Sequence, residues 1–196
     1  IQDITERQRN RSTIRYLTNF DSLTGLPNRL LFEQQLERAL SHARRNGKML
    51  AVLHIGLNRF KRINESLGHQ AGDAMLVQVA DRLKSASRDC DYLARPQDAV
   101  SDPAAEANLA RWSGDEFVIL LNEIRVPQDA ARASTRLLAH LDKPYMVFDH
   151  EVSTSATAGI ALYPGDGDNT AELLKNADAA MHFAKSNESG GYGFYT

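Results

Sequence analysis

Apolar and polar positions along this chain fall into blocks with different periods. Leu30, Leu31, Leu36, Ala39, Leu40 and Ala43 recur at helical spacing; Asn28 stands where an N-cap belongs and Gly47 where a helix ends. "MLAVLHIGL" (49–57) is nearly continuous in apolar residues without helical spacing, which predicts a central strand buried on both faces. A short, turn-rich helix is expected through "FKRINESLGH", then a longer one from Ala71 to about Ser87, striped by Met75, Leu76, Val79, Ala80 and Leu83. "LARWSGDEFVILL" reads as a strand, a tight turn and a second strand. "DAARASTRLLAHLDKP" is an amphipathic helix closed by Pro144, and "YMVFDHEVSTSATAGIALYP" reads as two strands around a polar turn at Asp149 and His150. A last helix spans about Thr170 to Ser186, and "YGFYT" makes a final strand.

Two segments lie outside this regular pattern. Residues 1–18 are polar except at Ile1, Ile4, Ile14 and Leu17, a spacing that lines one face of a connecting or coiled-coil helix and equally suits a frayed terminal one. "PQDAVSDPAAEAN" (96–108), rich in Pro, Ala and Asp, reads as an inserted loop. The order of elements is mixed rather than strictly alternating, so an α+β fold is expected, a sheet with helices packed on it. Residues 19–196 are read as one domain and 1–18 as a helix attached to it.

Composition narrows the function classes. A net charge of −2 argues against a nucleic-acid backbone as partner, so any phosphate contacts must be local. The single cysteine, Cys90, permits no internal disulfide and suits a reducing, cytoplasmic compartment. No apolar run approaches a membrane span of ~20 residues, so no membrane contact is expected of this segment. The chain begins at Ile1 rather than Met, as a piece of a longer, membrane-anchored protein would. The six histidines show no metal-ligand spacing; His69 is expected to pack or hydrogen-bond within "GHQAGD", and Trp112 to pack on its strand.

The densest chemistry lies in "RWSGDEF" (111–117), where two adjacent carboxylates, Asp115 and Glu116, follow a Ser-Gly pair that permits a sharp turn. Alternation along a strand would aim one acid at a site and turn its neighbour away. "DSLTGLPNR", "RFKRINESLGHQAGD", "RDCD", "RWSGDEF" and "ADAAMHFAK" occur in this order from about Asp21 to the C terminus. Together they resemble the GGDEF family of diguanylate cyclases. The resemblance implies a palm-like nucleotidyl-cyclase fold with a central, mostly antiparallel sheet flanked by helices. It also implies one GTP per subunit, and two subunits facing each other to join two GTP molecules into cyclic di-GMP.

Carried over residue by residue, the resemblance implies guanine recognition by Asn64 and Asp73, further nucleotide contacts from Phe60, Lys61, Gly114 and Lys185, and catalysis by Asp115 and Glu116. Mg²⁺ would be held by Asp115 and the backbone of Leu57, and Arg88 with Asp91 would form an inhibitory site for cyclic di-GMP. The departures are concentrated at the metal. Where the family carries D-x-D-x-F-K this chain reads "GLNRFK": Gly56 has no side chain and Asn58 is neutral. Ser113 replaces the first signature glycine, and Ser189 replaces an arginine four residues after Lys185. Mg²⁺ depends on carboxylates and substrate phosphates, so it should bind weakly or arrive with the nucleotide. The expected function is a degenerate GGDEF domain that binds GTP or GDP, makes little or no cyclic di-GMP and regulates an attached domain. The "GGYGFYT" ending resembles the junction to an EAL phosphodiesterase domain. An active cyclase and a nucleotide-free dimerisation module are the alternatives.

Overall fold

The computed structural model describes residues 2–88, 108–187 and 191–196. Helix α1 (Gln2–Asn19) leads into α2 (Arg29–Asn46), β1 (Met49–Leu57), α3 (Phe60–Leu67) and α4 (His69–Arg88). Strands β2 (Leu109–Ser113) and β3 (Glu116–Ile124) follow, then α5 (Pro127–Leu141), β4 (Tyr145–Val147), β5 (His150–Val152), β6 (Ala156–Tyr163), α6 (Thr170–Ser186) and β7 (Gly191–Phe194). The main sheet runs β2-β3-β1-β6-β7, antiparallel except between β6 and β7. This is the expected α+β architecture, a mostly antiparallel sheet flanked by helices.

β1 is central because both of its faces are apolar. Ala51, Leu53, Ile55 and Leu57 join Met75, Val79 and Leu83 of α4 and Leu137 and Leu141 of α5 in one core. Leu50 and Val52 face the other way, onto Phe32, Leu36 and Leu40 of α2 and Leu173, Leu174 and Ala177 of α6. Alternation places His54 and Gly56 on this second face, and the register sets Gly56 opposite Glu116 of β3 and Thr157 of β6.

The helix ends follow from their residues. The Asn28 side chain accepts the Leu31 N–H, and Gly47 closes α2 at φ 59°. At α6, Asn169 accepts the Glu172 N–H. Gly68, at φ 90°, separates α3 from α4, which therefore starts at His69 rather than Ala71. His69 is exposed there, not packed in a turn. The stretch after Pro144 forms three strands instead of two: β4 and β5 make a separate hairpin whose turn residues, Phe148 and Asp149, both take positive φ, and β6 then joins the main sheet. The expected inserted loop (96–108) lies outside the described residues except for Asn108.

Helix α6 lies unusually close to β6. A Cβ on Gly159 would stand 2.8 Å from the Met181 Cα, and closer still to the Ala177 carbonyl and the Met181 N–H. These are backbone atoms, which cannot step aside as a flexible side chain would. Gly159→Ala is therefore expected to destabilise the domain by about 1–3 kcal/mol or more. Urea unfolding should show a lower midpoint at unchanged m-value.

Candidate functional site

The chain leaves β1 through Asn58, which is tied down on every side. Its N–H donates to the Ser155 carbonyl at 2.8 Å and its side-chain amide to Ser155 Oγ at 2.7 Å. Thr157 Oγ1 donates to Asn58 Oδ1 at 3.0 Å, and Thr154 Oγ1 to the Asn58 carbonyl at 2.6 Å. Asn58 thus clasps the end of β1 to the start of β6. Arg59 follows in the left-handed region, at φ 59°, and α3 begins at Phe60. A cleft of about 1060 Å³ opens beside this corner, lined in part by Arg59, Arg62, Thr157 and Lys185.

Lys185 fills the space beside Gly56. Its Nζ donates to the Leu57 carbonyl at 3.1 Å. A Cβ built on Gly56 would fall 2.7 Å from that Nζ and 2.8 Å from Met181 Sδ. The ammonium also draws on both hairpin acids. Burial pushes the Asp115 carboxyl above its usual range, against the pull of Lys185. Glu116 is held below its usual range, first by a hydrogen bond from His54, with His182 and Lys185 adding charge and burial opposing. Glu116 lies on the face of β3 that meets His54 and Gly56, Asp115 sits in the turn before it, and the β2–β3 register shifts between Arg111 and Ser113.

The hairpin is anchored from an unexpected direction. Arg111 donates to both carboxylate oxygens of Asp21, at 3.1 and 3.2 Å, and to the Gly114 carbonyl at 3.0 Å. Asp21 Oδ2 also accepts the N–H and hydroxyl of Thr24, at 2.9 and 2.7 Å. Burial raises the Asp21 pKa, and the Thr24 and Arg111 bonds overcome it, so the net shift is downward. Gly114 turns the hairpin at φ 46°. Trp112 is half-buried, with the Arg29 guanidinium 4.1 Å over its ring and the His54 ring set edge-on at 6.0 Å.

The expected base-reading residues meet at the α3–α4 corner. A Cβ on Gly72 would stand 3.0 Å from Asn64 Cγ, closer still to Asn64 Oδ1, and 3.2 Å from the Phe60 ring, so Asn64 and Phe60 both lie against this bare stretch of α4. Asp73 is the next residue and is exposed. Lys61, 90% exposed, reaches only Glu65, at 3.9 Å; Arg59 and Arg62 line the cleft in its place. Of the expected inhibitory site, the backbone of Arg88 ends α4, and Asp91 lies outside the described residues, as does Ser189. Sequence reasoning does not single out Asp21, Arg59 and Arg62 as site residues, and it takes Asn58 only as a neutral replacement for a carboxylate. Asp21 had a signal, the acid opening "DSLTG", but nothing local ties it to Arg111, 90 positions away.

Two histidines without sequence spacing also converge. His54 Nε2 donates to Glu116 Oε2 at 3.0 Å and lies 3.6 Å from Asp178 Oδ1, while His182 Nε2 lies 3.2 Å from that same oxygen.

The family model described as diguanylate cyclase, GGDEF domain, matches residues 18–100 and 102–190. The chain belongs to the GGDEF family. It is 42% identical over 175 residues to the bifunctional diguanylate cyclase/cyclic di-GMP phosphodiesterase MucR of Pseudomonas aeruginosa, covering 89% of this chain and 23% of MucR. It is 41% identical over 180 residues to the diguanylate cyclase TpbB of the same species, covering 91% of this chain and 38% of TpbB. The chain thus spans well under half the length of these relatives. The solved GGDEF domain of TpbB superposes with a TM-score of 0.77 at 41% identity, covering 90% of this chain and 94% of that one. The coiled coil and GGDEF domain of DgcB from Caulobacter crescentus, solved with c-di-GMP, shares the fold at a TM-score of 0.78 and 20% identity, covering 98% of this chain and 94% of that one. As a GGDEF domain the chain is part of cyclic di-GMP signalling in bacteria.

The Asp21–Arg111 pair carries the prediction here. Because the Asp21 pKa is depressed, its contribution is full above the ordinary carboxylate range and is lost as pH falls through the lowered value. Asp21→Asn should cost about 1–3 kcal/mol at neutral pH. Acid unfolding curves should show the variant and the parent converging below the depressed pKa.

Proposed function

We propose that this GGDEF domain binds GTP or GDP, makes little or no cyclic di-GMP, and passes its loaded state to an attached domain. One observation carries the reading: the Lys185 ammonium sits on the Leu57 carbonyl, in the space that Gly56 leaves open. The Mg²⁺ that the family resemblance implies would need that carbonyl and a carboxylate at position 56. The first is engaged and the second is missing. Asp115 and Glu116 alone do not make a fitting Mg²⁺ site beside a resident cation. Divalent-ion clamping of the attacking and leaving oxygens is therefore not assigned to this chain.

Nucleotide retention asks for less. Asn64 and Asp73 supply an amide and a carboxylate for the guanine edge, with Phe60 beside Asn64. Lys185, Arg59 and Arg62 bring positive charge to the cleft, where phosphates need it. Lys61 and Gly114 stay at the margin of this arrangement, and Arg88 with Asp91 are kept as the candidate contact for cyclic di-GMP. The domain is taken as residues 19–196, with 1–18 as the connecting helix towards further domains of the full protein. MucR, with both named activities, is the precedent for an EAL-type neighbour. No described helix is long and apolar enough to cross a membrane, and a cytoplasmic position for this segment is part of the proposal. Pairing of two copies is expected to depend on nucleotide.

Calorimetry with GDP and GTP is expected to show saturable binding that chelator does not abolish. Gly56→Asp, which sets a carboxylate against Lys185 Nζ, should make GTP binding respond to Mg²⁺. No heat with either nucleotide would leave an interaction module, and steady formation of cyclic di-GMP from GTP and Mg²⁺ would establish a working cyclase; either result overturns the reading. Gly72→Ala separates site from scaffold. Alanine favours a helix interior by up to about 1 kcal/mol over glycine, yet its methyl would displace Asn64. The variant should melt no lower than the parent while GDP affinity falls about five- to tenfold.

A further inference from the structure

We propose that His54, Glu116, Asp178 and His182 form a binding site for a divalent transition ion of the Zn²⁺ class, separate from the Mg²⁺ position that Lys185 fills. The four side chains come from β1, β3 and α6 and meet at the sheet face that α6 covers. One nitrogen of His54 and one carboxylate oxygen from each of Glu116 and Asp178 all lie within 4.8 Å of one another, with His54 only 1% exposed. Donors around a tetrahedral ion with bonds of about 2.0–2.1 Å stand roughly 3.3–3.4 Å apart. The spacings are close to that edge: His54 Nε2 to Glu116 3.0 Å, His54 Nε2 to Asp178 3.6 Å, and His182 Nε2 to Asp178 3.2 Å. His182, 60% exposed and 3.9 Å from Glu116 Oε1, is the fourth donor.

Donor chemistry sets the class of ion. Two imidazoles and two carboxylates suit Zn²⁺ and its neighbours, whereas Mg²⁺ prefers oxygen alone. Two carboxylates balance the charge of one divalent ion. Hydrogen bonding within the cluster accounts for less of it: only His54 to Glu116 is a bond, and the Asp178–His182 and Asp178–His54 approaches are ion-pair contacts without one. His54 Nδ1 is buried without a partner, so a metal on Nε2 leaves a proton on Nδ1 unpaired and holds affinity below that of dedicated zinc sites. Coordination would draw Glu116 towards α6 and away from any nucleotide.

Trp112 provides the readout, since it is the sole tryptophan and its ring centroid lies 6.0 Å from that of His54. Chelator-stripped protein without nucleotide is titrated with Co²⁺, following visible absorption and tryptophan emission together. Saturable tetrahedral cobalt bands with parallel quenching, displaced by Zn²⁺, are expected. His182→Ala and Asp178→Asn, both at accessible positions, should keep the metal-free melting temperature and weaken Co²⁺ at least about tenfold. Absence of tetrahedral bands would overturn the proposal, as would titrations that neither substitution alters. The GDP measurements above are made with chelator present, so either result stands whatever the other shows.

Discussion

The arrangement of this domain depends on how closely α6 lies on the sheet. Gly159 removes the one Cβ that would hold the helix off β6, and Gly56, diagonal to it on β1, leaves a second gap that Met181 and Lys185 fill. From that contact the rest follows. Asp178 reaches His54, His182 reaches Asp178 and Glu116, and Lys185 reaches the Leu57 carbonyl while adding its charge to both hairpin acids. A helix held a side chain's width higher would make none of these contacts.

The charge balance at the hairpin is struck by side chains of the chain itself. Asp115 and Glu116, adjacent and partly buried, both need a counter-charge. A lysine on the overlying helix supplies it from within the chain. Burial nonetheless keeps the Asp115 carboxyl easier to protonate than an exposed one, the mark of a group whose partner compensates only part of its desolvation.

Much of the fold was legible because it rests on short-range rules. Asn28 and Gly47 bound α2 as caps do, and the unbroken apolar run of β1 announced burial on both faces. The turn at Asp149 was legible, but not the break after Val152 that confines β5 to a separate hairpin with β4 and leaves β6 to the main sheet. At the site, motif order singled out the acids, Asn64 and Lys185, but not the bond Lys185 makes to a carbonyl 128 positions earlier. Asn58, read as a lost carboxylate, proved to be a fully bonded clasp between two strands. Histidines on β1 and α6 carry no sequence spacing at all, so only the fold could bring them together.

Asp21 lies two residues past the end of α1 and grips the arginine that precedes the signature turn. A tie that short behaves as a lever arm. Displacing α1 against the sheet must either carry the turn at Gly114 with it or part the Asp21–Arg111 pair.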